Sequence, residues 1–128
     1  MSRRLTVIAA AVGLVAFGLT GVWAFFAPHS FFDTVATYPP YNRHLFHDLG
    51  AFNLGLAATL ALGLGRWRGL VVGLGGGSVA AVMHAVAHWL DRNQGGRSSD
   101  PWLLSLFALV LVAATMVAWQ QDRTGRPA

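Results

Sequence analysis

The chain has 128 residues, of which 55% are hydrophobic and only 11% are charged, whereas roughly 25% of the residues in a soluble domain are charged. It contains no cysteine, which excludes disulfide bonds and thiolate ligands for a metal. The formal charge of +4 comes from nine Arg and five Asp, without any Lys or Glu. Because these Arg stand singly or in pairs at the ends of apolar runs, the pattern argues against nucleic-acid binding and indicates a protein of the lipid bilayer.

Four apolar segments are long enough to cross a bilayer, whose hydrocarbon core of about 30 Å needs roughly 20 helical residues. These segments cover residues 5–27, 45–65, 69–90 and 102–119. The first segment ends without a small-residue cleavage site, so it is interpreted as a retained helix and not as a signal peptide. The very short connection from Arg66 to Arg68 makes the second and third segments antiparallel neighbours. The sequence therefore predicts an all-α, four-helix antiparallel bundle forming one membrane domain, residues 1–128.

The flanking arginines predict which side of the membrane each connection faces. Six of them lie on one side and three on the other: Arg3, Arg4, Arg66, Arg68, Arg123 and Arg126, against Arg43, Arg92 and Arg97. Because positively charged flanks stay in the cytoplasm, both termini are predicted to be cytoplasmic. The five Trp lie at the ends of the segments, where the amphipathic indole is favoured.

The connection between the first two segments is long enough to hold a helix of its own. Residues 30–36 are predicted to form a short interfacial helix capped by Ser30. Tyr38-Pro39-Pro40-Tyr41 then turns the chain back toward the membrane. The third connection, between Asp91 and Pro101, is polar and rich in Gly and Ser, which is typical of a loop.

All five His lie toward the side of the membrane opposite the termini. They occupy the first connection, the start of the second segment and the end of the third: His29, His44, His47, His84 and His88. Asp48 and Asp91 accompany the last four. Because the second and third helices are antiparallel, we expect these two groups at similar depth. Ionisable side chains inside a membrane are costly, so they are candidates for function.

Helical phase predicts that His84 and His88 point into the bundle. At about 100° per residue, both lie about 20° from the direction of Gly77. That residue belongs to a stripe of small residues comprising Gly65, Gly69, Gly73, Gly77 and Ala81. Such a stripe allows a neighbouring helix to approach closely in lipid. On the second helix, His44, His47 and Asp48 share one broad side of the first turn.

The predicted site combines the polar residues of both helices. It consists of His47, Asp48, His84 and His88, with His44 and Asp91 at its mouth. Neutral imidazole is a good ligand for a divalent metal or a haem iron, and a carboxylate can orient it. Binding of a metal ion or haem, linked to redox chemistry, is the leading prediction. His44 and Asp91 fit equally well as ordinary residues of a wet helix end, and His29 is interpreted as a loop residue.

Two functions of other classes remain open. An accessory protein would use the His and Asp side chains to hold the helices in register, and its surface would contact a larger membrane protein. A membrane enzyme would use them for proton transfer on a lipid-soluble substrate, because His titrates near pH 6.5. The segment Phe31-Phe32 would then serve as a lid. Dimerisation through the glycine stripe is a further alternative.

The second segment and the end of the third resemble a known family. Residues 40–51 read Pro40-Tyr41-Asn42-Arg43-His44-Leu45-Phe46-His47-Asp48-Leu49-Gly50-Ala51, and a small-residue helix then leads to His84-Ala85-Val86-Ala87-His88. This pattern resembles small bacterial four-helix membrane proteins of the DoxX-like group, through Asn42, His44, Asp48, Gly50 and the two later His. The resemblance implies a location in the bacterial inner membrane and a role as subunit or helper of a quinone-linked or maturation system. The absence of Cys, which some redox relatives carry, argues against a thiol-based role.

Overall fold

The computed structural model describes residues 2–125, and all the secondary structure within them is helical. Its helices are α1 (Arg3–Phe26), α2 (Pro28–Thr34), α3 (Arg43–Leu64), α4 (Trp67–Leu90) and α5 (Asp100–Arg123). All except α2 are long and apolar enough to cross a membrane. The predicted all-α bundle with four membrane-spanning helices is confirmed, and the chain is a multi-pass membrane protein. Arg126, which contributes to the predicted charge bias, lies outside the described residues.

The four long helices form a ring in which each one packs mainly against two neighbours. α1 lies between α3 and α5, and α4 lies between the same two helices on the other side. We call the end of the bundle with the α3–α4 connection, the start of α1 and the end of α5 the arginine end. The opposite end, which holds all five His, is the histidine end.

The short helix α2 begins earlier than predicted and is not capped by Ser30. It covers Pro28–Thr34, and its N-cap is Ala27, which makes no side-chain capping bond. Proline is favoured in a first helical turn because its fixed φ suits the helix and its missing N–H would have no partner there. Ser30 has another role, since its hydroxyl accepts a hydrogen bond of 3.2 Å from the Trp23 indole. This bond attaches α2 to the end of α1.

The interior of the ring is apolar and tightly packed. The side chains in it that have no exposed surface include Leu60, Leu74, Leu111 and Ala114. Phe17 packs edge-on against Phe107, with ring centroids 5.7 Å apart. A polar contact within it joins α4 to α5, where the hydroxyls of Ser78 and Thr115 lie 2.6 Å apart. No charged side chain between residues 2 and 125 is buried, so the ionisable groups lie at the ends and the surface of the bundle.

Glycines set the distance between α1 and α3. Gly21 and Gly50 face each other across the two helices. A Cβ atom at Gly50 would lie 2.7 Å from the backbone nitrogen of Phe25 and 2.9 Å from the carbonyl oxygen of Gly21. Because both are backbone atoms, an added methyl group would push the helices apart. This crossing is not among the features predicted from the sequence, where the only predicted stripe of small residues lies on the helix that becomes α4.

The predicted glycine stripe of α4 does pack against α3, but only in the half nearer the arginine end. A Cβ atom at Gly63 would lie 2.8 Å from the Gly69 carbonyl oxygen, and one at Gly73 would lie 2.9 Å from the Thr59 carbonyl oxygen. Gly77 is buried and faces the interior of the ring. The stripe is therefore a helix-packing feature.

Replacing Gly50 with Ala should destabilise the protein by about 1–3 kcal/mol, because the new methyl group overlaps backbone atoms of α1. Gly55→Ala is the matched control on the same helix, since a Cβ atom there meets nothing within 4 Å. Thermal unfolding in mild detergent compares the two variants with the native chain. Equal midpoints for both variants would contradict the proposed role of Gly50.

Candidate functional site

His84 and His88 form a hydrogen-bonded pair near the histidine end of α4. Their Nε2 atoms lie 3.1 Å apart, because residues four apart occupy the same face of a helix. His88 is half-buried, whereas His84 is exposed on the surface of the bundle. The prediction that both point into the bundle is therefore wrong for His84. The close glycine contacts of α4 with α3 end at Gly73, about three turns before His84.

Tyr38 is the third member of this arrangement. Its hydroxyl lies 3.0 Å from Nδ1 of His88, and the two rings meet edge-on with centroids 5.5 Å apart. His88 therefore has a hydrogen-bond partner at each ring nitrogen. We call this arrangement the Tyr38–His88–His84 chain. It leads from the connection between α2 and α3 to a residue inside the membrane span.

Two glycines of the α4–α5 connection hold Tyr38 in place. Gly95 and Gly96 both have positive φ values, of 154° and 74°. A Cβ atom at Gly96 would lie 2.5 Å from the Tyr38 hydroxyl oxygen, and one at Gly95 would overlap the carbonyl oxygen of Thr37. The N–H of Gly96 donates to that same carbonyl oxygen over 3.2 Å. Only glycine fits this close approach, and it brings Tyr38 onto the end of α4.

Two carboxylates give this region a negative potential. Burial raises the pKa of the Tyr38 phenol, and the negative charges of Asp100 and Asp91 raise it further. Tyr38 is therefore neutral at physiological pH. Asp91 accepts a hydrogen bond of 3.0 Å from Gln94, and Asp100 accepts one of 2.8 Å from the backbone N–H of Arg97. Both carboxylates keep further oxygen lone pairs, and their charge favours a cation beside Tyr38.

The remaining predicted site residues lie apart from this chain. His44 and Asp48 pair with each other at 3.5 Å, and their side chains are 86% and 50% exposed. His47 packs on Phe25 of α1, with ring centroids 5.2 Å apart. In the part of the chain described here, no three or more His, Asp or Glu side chains are grouped so that they could share a metal ion. The six predicted residues therefore separate into His84 with His88, His44 with Asp48, and His47 and Asp91 each alone, and their joint metal site stays a prediction.

Tyr38 and Asp100 are the residues that the sequence analysis misses. Tyr38 is separated from His88 by 50 positions, and helical phase gives no information about a contact made by a loop. The signal in the sequence is the pair Gly95-Gly96, because adjacent glycines in a loop mark backbone that adopts positive φ or lies close to another group. Asp100 precedes Pro101, a pattern typical of a helix start.

In a Tyr41→Phe variant, Tyr38 is the only tyrosine. Its phenolate should form above pH 10, because burial and the two carboxylates raise its pKa from the usual value of about 10. The phenolate absorbance followed against pH measures this midpoint. Asp100→Asn in the same background should lower the midpoint toward 10, whereas Asp33→Asn should leave it unchanged. A midpoint at or below 10 in the parent variant would rule out this environment.

Comparisons with models of protein families, with curated proteins and with solved structures found no match to this chain. The resemblance to the DoxX-like group therefore stays a prediction.

Proposed function

We propose that this chain is a protein of the bacterial inner membrane that binds a divalent transition-metal ion through His84 and His88. The observation that carries the proposal is the separation of 3.1 Å between the two Nε2 atoms. With metal–nitrogen bonds of about 2.0–2.1 Å, two nitrogens at this separation bond one ion with an angle of about 100°, near the tetrahedral value. The ion would take the place of the hydrogen bond between the two nitrogens, and the proton of that bond would move to Nδ1 of His84.

Tyr38 supports this pair as a positioning residue. A metal-binding His commonly donates its second ring N–H to an oxygen, which fixes the tautomer and the orientation of the ring. When the Tyr38 oxygen accepts from Nδ1 of His88, the Nε2 atom of His88 presents a lone pair toward His84. Asp91 and Asp100 add the negative charge that attracts a cation. The pair supplies two ligands, so further positions stay open to water or to a substrate.

The chemistry of the ligands limits the kind of metal. Imidazole nitrogens favour zinc, copper, nickel or iron, whereas magnesium and calcium prefer oxygen ligands. Haem is a poorer fit for this pair, because its two axial ligands lie on opposite faces of the ring. Nitrogens 3.1 Å apart on one face of one helix cannot both reach the iron in that way. The geometry therefore favours a metal ion.

Metal-free protein purified in mild detergent should bind one Zn²⁺ ion per chain, and the double variant His84→Ala/His88→Ala should bind none, because both proposed ligands are gone. Tyr38→Phe should weaken binding by about 10–100-fold, the usual effect of losing such an orienting group. Titration calorimetry with Zn²⁺ measures both effects. His29→Ala is the matched control, since it removes a histidine at the same end of the bundle.

The same titration tests the wider predicted site. If His44, His47, Asp48 or Asp91 also bind the ion, replacing each one should weaken Zn²⁺ binding as strongly as His84→Ala does. Elemental analysis and an absorption spectrum of the native protein reveal any metal or haem that is purified with it. Unchanged Zn²⁺ binding by the double variant would refute the proposed ligands.

Proton transfer is a second candidate function, and the Tyr38–His88–His84 chain is the observation that favours it. A neutral phenol and two imidazoles in series pass a proton when each group accepts on one side and donates on the other. The resemblance to DoxX-like proteins supports a quinone-like, lipid-soluble substrate. A protein purified without metal, whose activity on such a substrate depends on pH and is lost in His84→Ala, would favour this function.

The charge distribution supports a topology with both termini in the cytoplasm. Among the described residues, the arginine end carries Arg3, Arg4, Arg66, Arg68 and Arg123, and the histidine end carries three Arg and four of the five Asp. A reporter enzyme that is active only outside the cytoplasm should be inactive when it is fused after Gly125. It should be active when inserted at Asn93, in the α4–α5 connection. The reverse pattern would overturn the proposed orientation.

A further inference from the structure

An apolar groove and a polar hollow adjoin each other on the surface of α1 and α2, away from the Tyr38–His88–His84 chain. The groove has a volume of about 650 Å³, and its lining includes Ala16, Leu19, Trp23, Phe26, Phe31 and Val35. The hollow has a volume of about 530 Å³, and its lining includes His29, Ser30, Tyr41 and Arg43. Ala27, between α1 and α2, lines both. The two spaces are therefore neighbours that meet at the end of α1.

The length of the groove matches the hydrocarbon depth of one leaflet. It follows α1 from Ala16 to Ala27, which is about 16 Å at 1.5 Å per residue. Half of a hydrocarbon core of about 30 Å is about 15 Å. At the histidine end, Phe31 and Val35 of α2 line the groove together with α1. A hydrocarbon chain lying against α1 would thus pass beneath the interfacial helix.

The hollow offers an unpaired positive charge at the level of the lipid headgroups. Arg43 is exposed and forms no ion pair with any residue between 2 and 125. Asp33, the carboxylate of α2, bonds instead to His29 over 2.8 Å. Ser30 accepts its hydrogen bond from Trp23, so its own hydroxyl proton remains to be donated. An arginine and a hydroxyl are suitable donors for a phosphate group.

We propose that these two spaces bind one anionic phospholipid, with its phosphate against Arg43 and Ser30 and one acyl chain in the groove. Trp23 lies at the boundary, because its ring lines the groove and its indole N–H reaches Ser30. An interfacial indole of this kind suits the polar–apolar junction of a lipid. A zwitterionic headgroup would bring its own positive charge close to the unpaired Arg43, and the two positive charges would repel each other. A headgroup with a net negative charge therefore fits better.

The test uses the full chain in mild detergent, with phosphatidylglycerol or phosphatidylcholine of the same acyl chains added at equal concentration. Native mass spectrometry counts the lipid that each chain retains. The native chain should retain one phosphatidylglycerol with about a tenfold preference, the usual scale of one charge-assisted contact. Arg43→Gln should abolish this preference. Arg92→Gln, which changes another exposed arginine at the histidine end, should keep it.

A second variant tests the groove without changing any charge. Ala16→Phe fills the groove and should reduce the retention of both lipids several-fold, whereas Ala113→Phe on the exposed surface of α5 should not. Equal retention of the two lipids by the native chain would overturn the proposal. Equal effects of Arg43→Gln and Arg92→Gln, or full retention by Ala16→Phe, would also overturn it. The native lipid comparison and Ala16→Phe remain decisive if Arg43→Gln does not fold.

Discussion

The backbone contact between α1 and α3 at Gly21 and Gly50 is the constraint on which the histidine end depends. Hydrophobic burial provides little drive for helices to associate in lipid, so close packing and polar contacts hold them together. A side chain at either glycine would meet backbone atoms of the other helix. The contact therefore determines how far the start of α3 lies from the end of α1, and with it the space available to α2.

From this contact, an aromatic cluster builds the histidine end outward. Phe31 of α2 packs between Trp23 and Phe46, with ring centroids 5.7 Å and 6.0 Å away. Tyr41 stacks on Phe46 at 5.7 Å. These contacts attach α2 and the start of α3 to α1. The connection between α2 and α3, which contains Tyr38, then extends toward α4. The position of Tyr38 thus follows from packing on α1 as well as from the glycines of the α4–α5 connection.

The sequence predicts the four spans of the bundle well, because an apolar run of about 20 residues has essentially one solution in a bilayer. It predicts the candidate site only in part. The phase of His84 relative to Gly77 follows from helix geometry, but the path of α3 does not. Since α3 makes its close glycine contacts with α4 at Gly69 and Gly73, His84 remains exposed. A contact between Tyr38 and His88, 50 positions apart, depends on tertiary packing; the pair Gly95-Gly96 marks a close approach of the backbone but does not identify Tyr38 as its partner.

The two candidate functions of the Tyr38–His88–His84 chain differ in what lies between the Nε2 atoms of His84 and His88, a proton or a metal ion. A proton now joins the two Nε2 atoms, and a metal ion would need the lone pairs of both. Metal binding must therefore move that proton to Nδ1 of His84, a change of tautomer that releases no proton from the neutral pair. Protonation of either imidazole removes a lone pair that the metal needs, so acid opposes binding. His84 is exposed within a membrane span, where a polar side chain is energetically costly. Its link to His88, through a proton or through a metal ion, reduces this cost. Tyr38 and the carboxylates of Asp91 and Asp100 lie on the histidine-end side of this pair, so their negative charge favours the approach of an ion or a proton from that end.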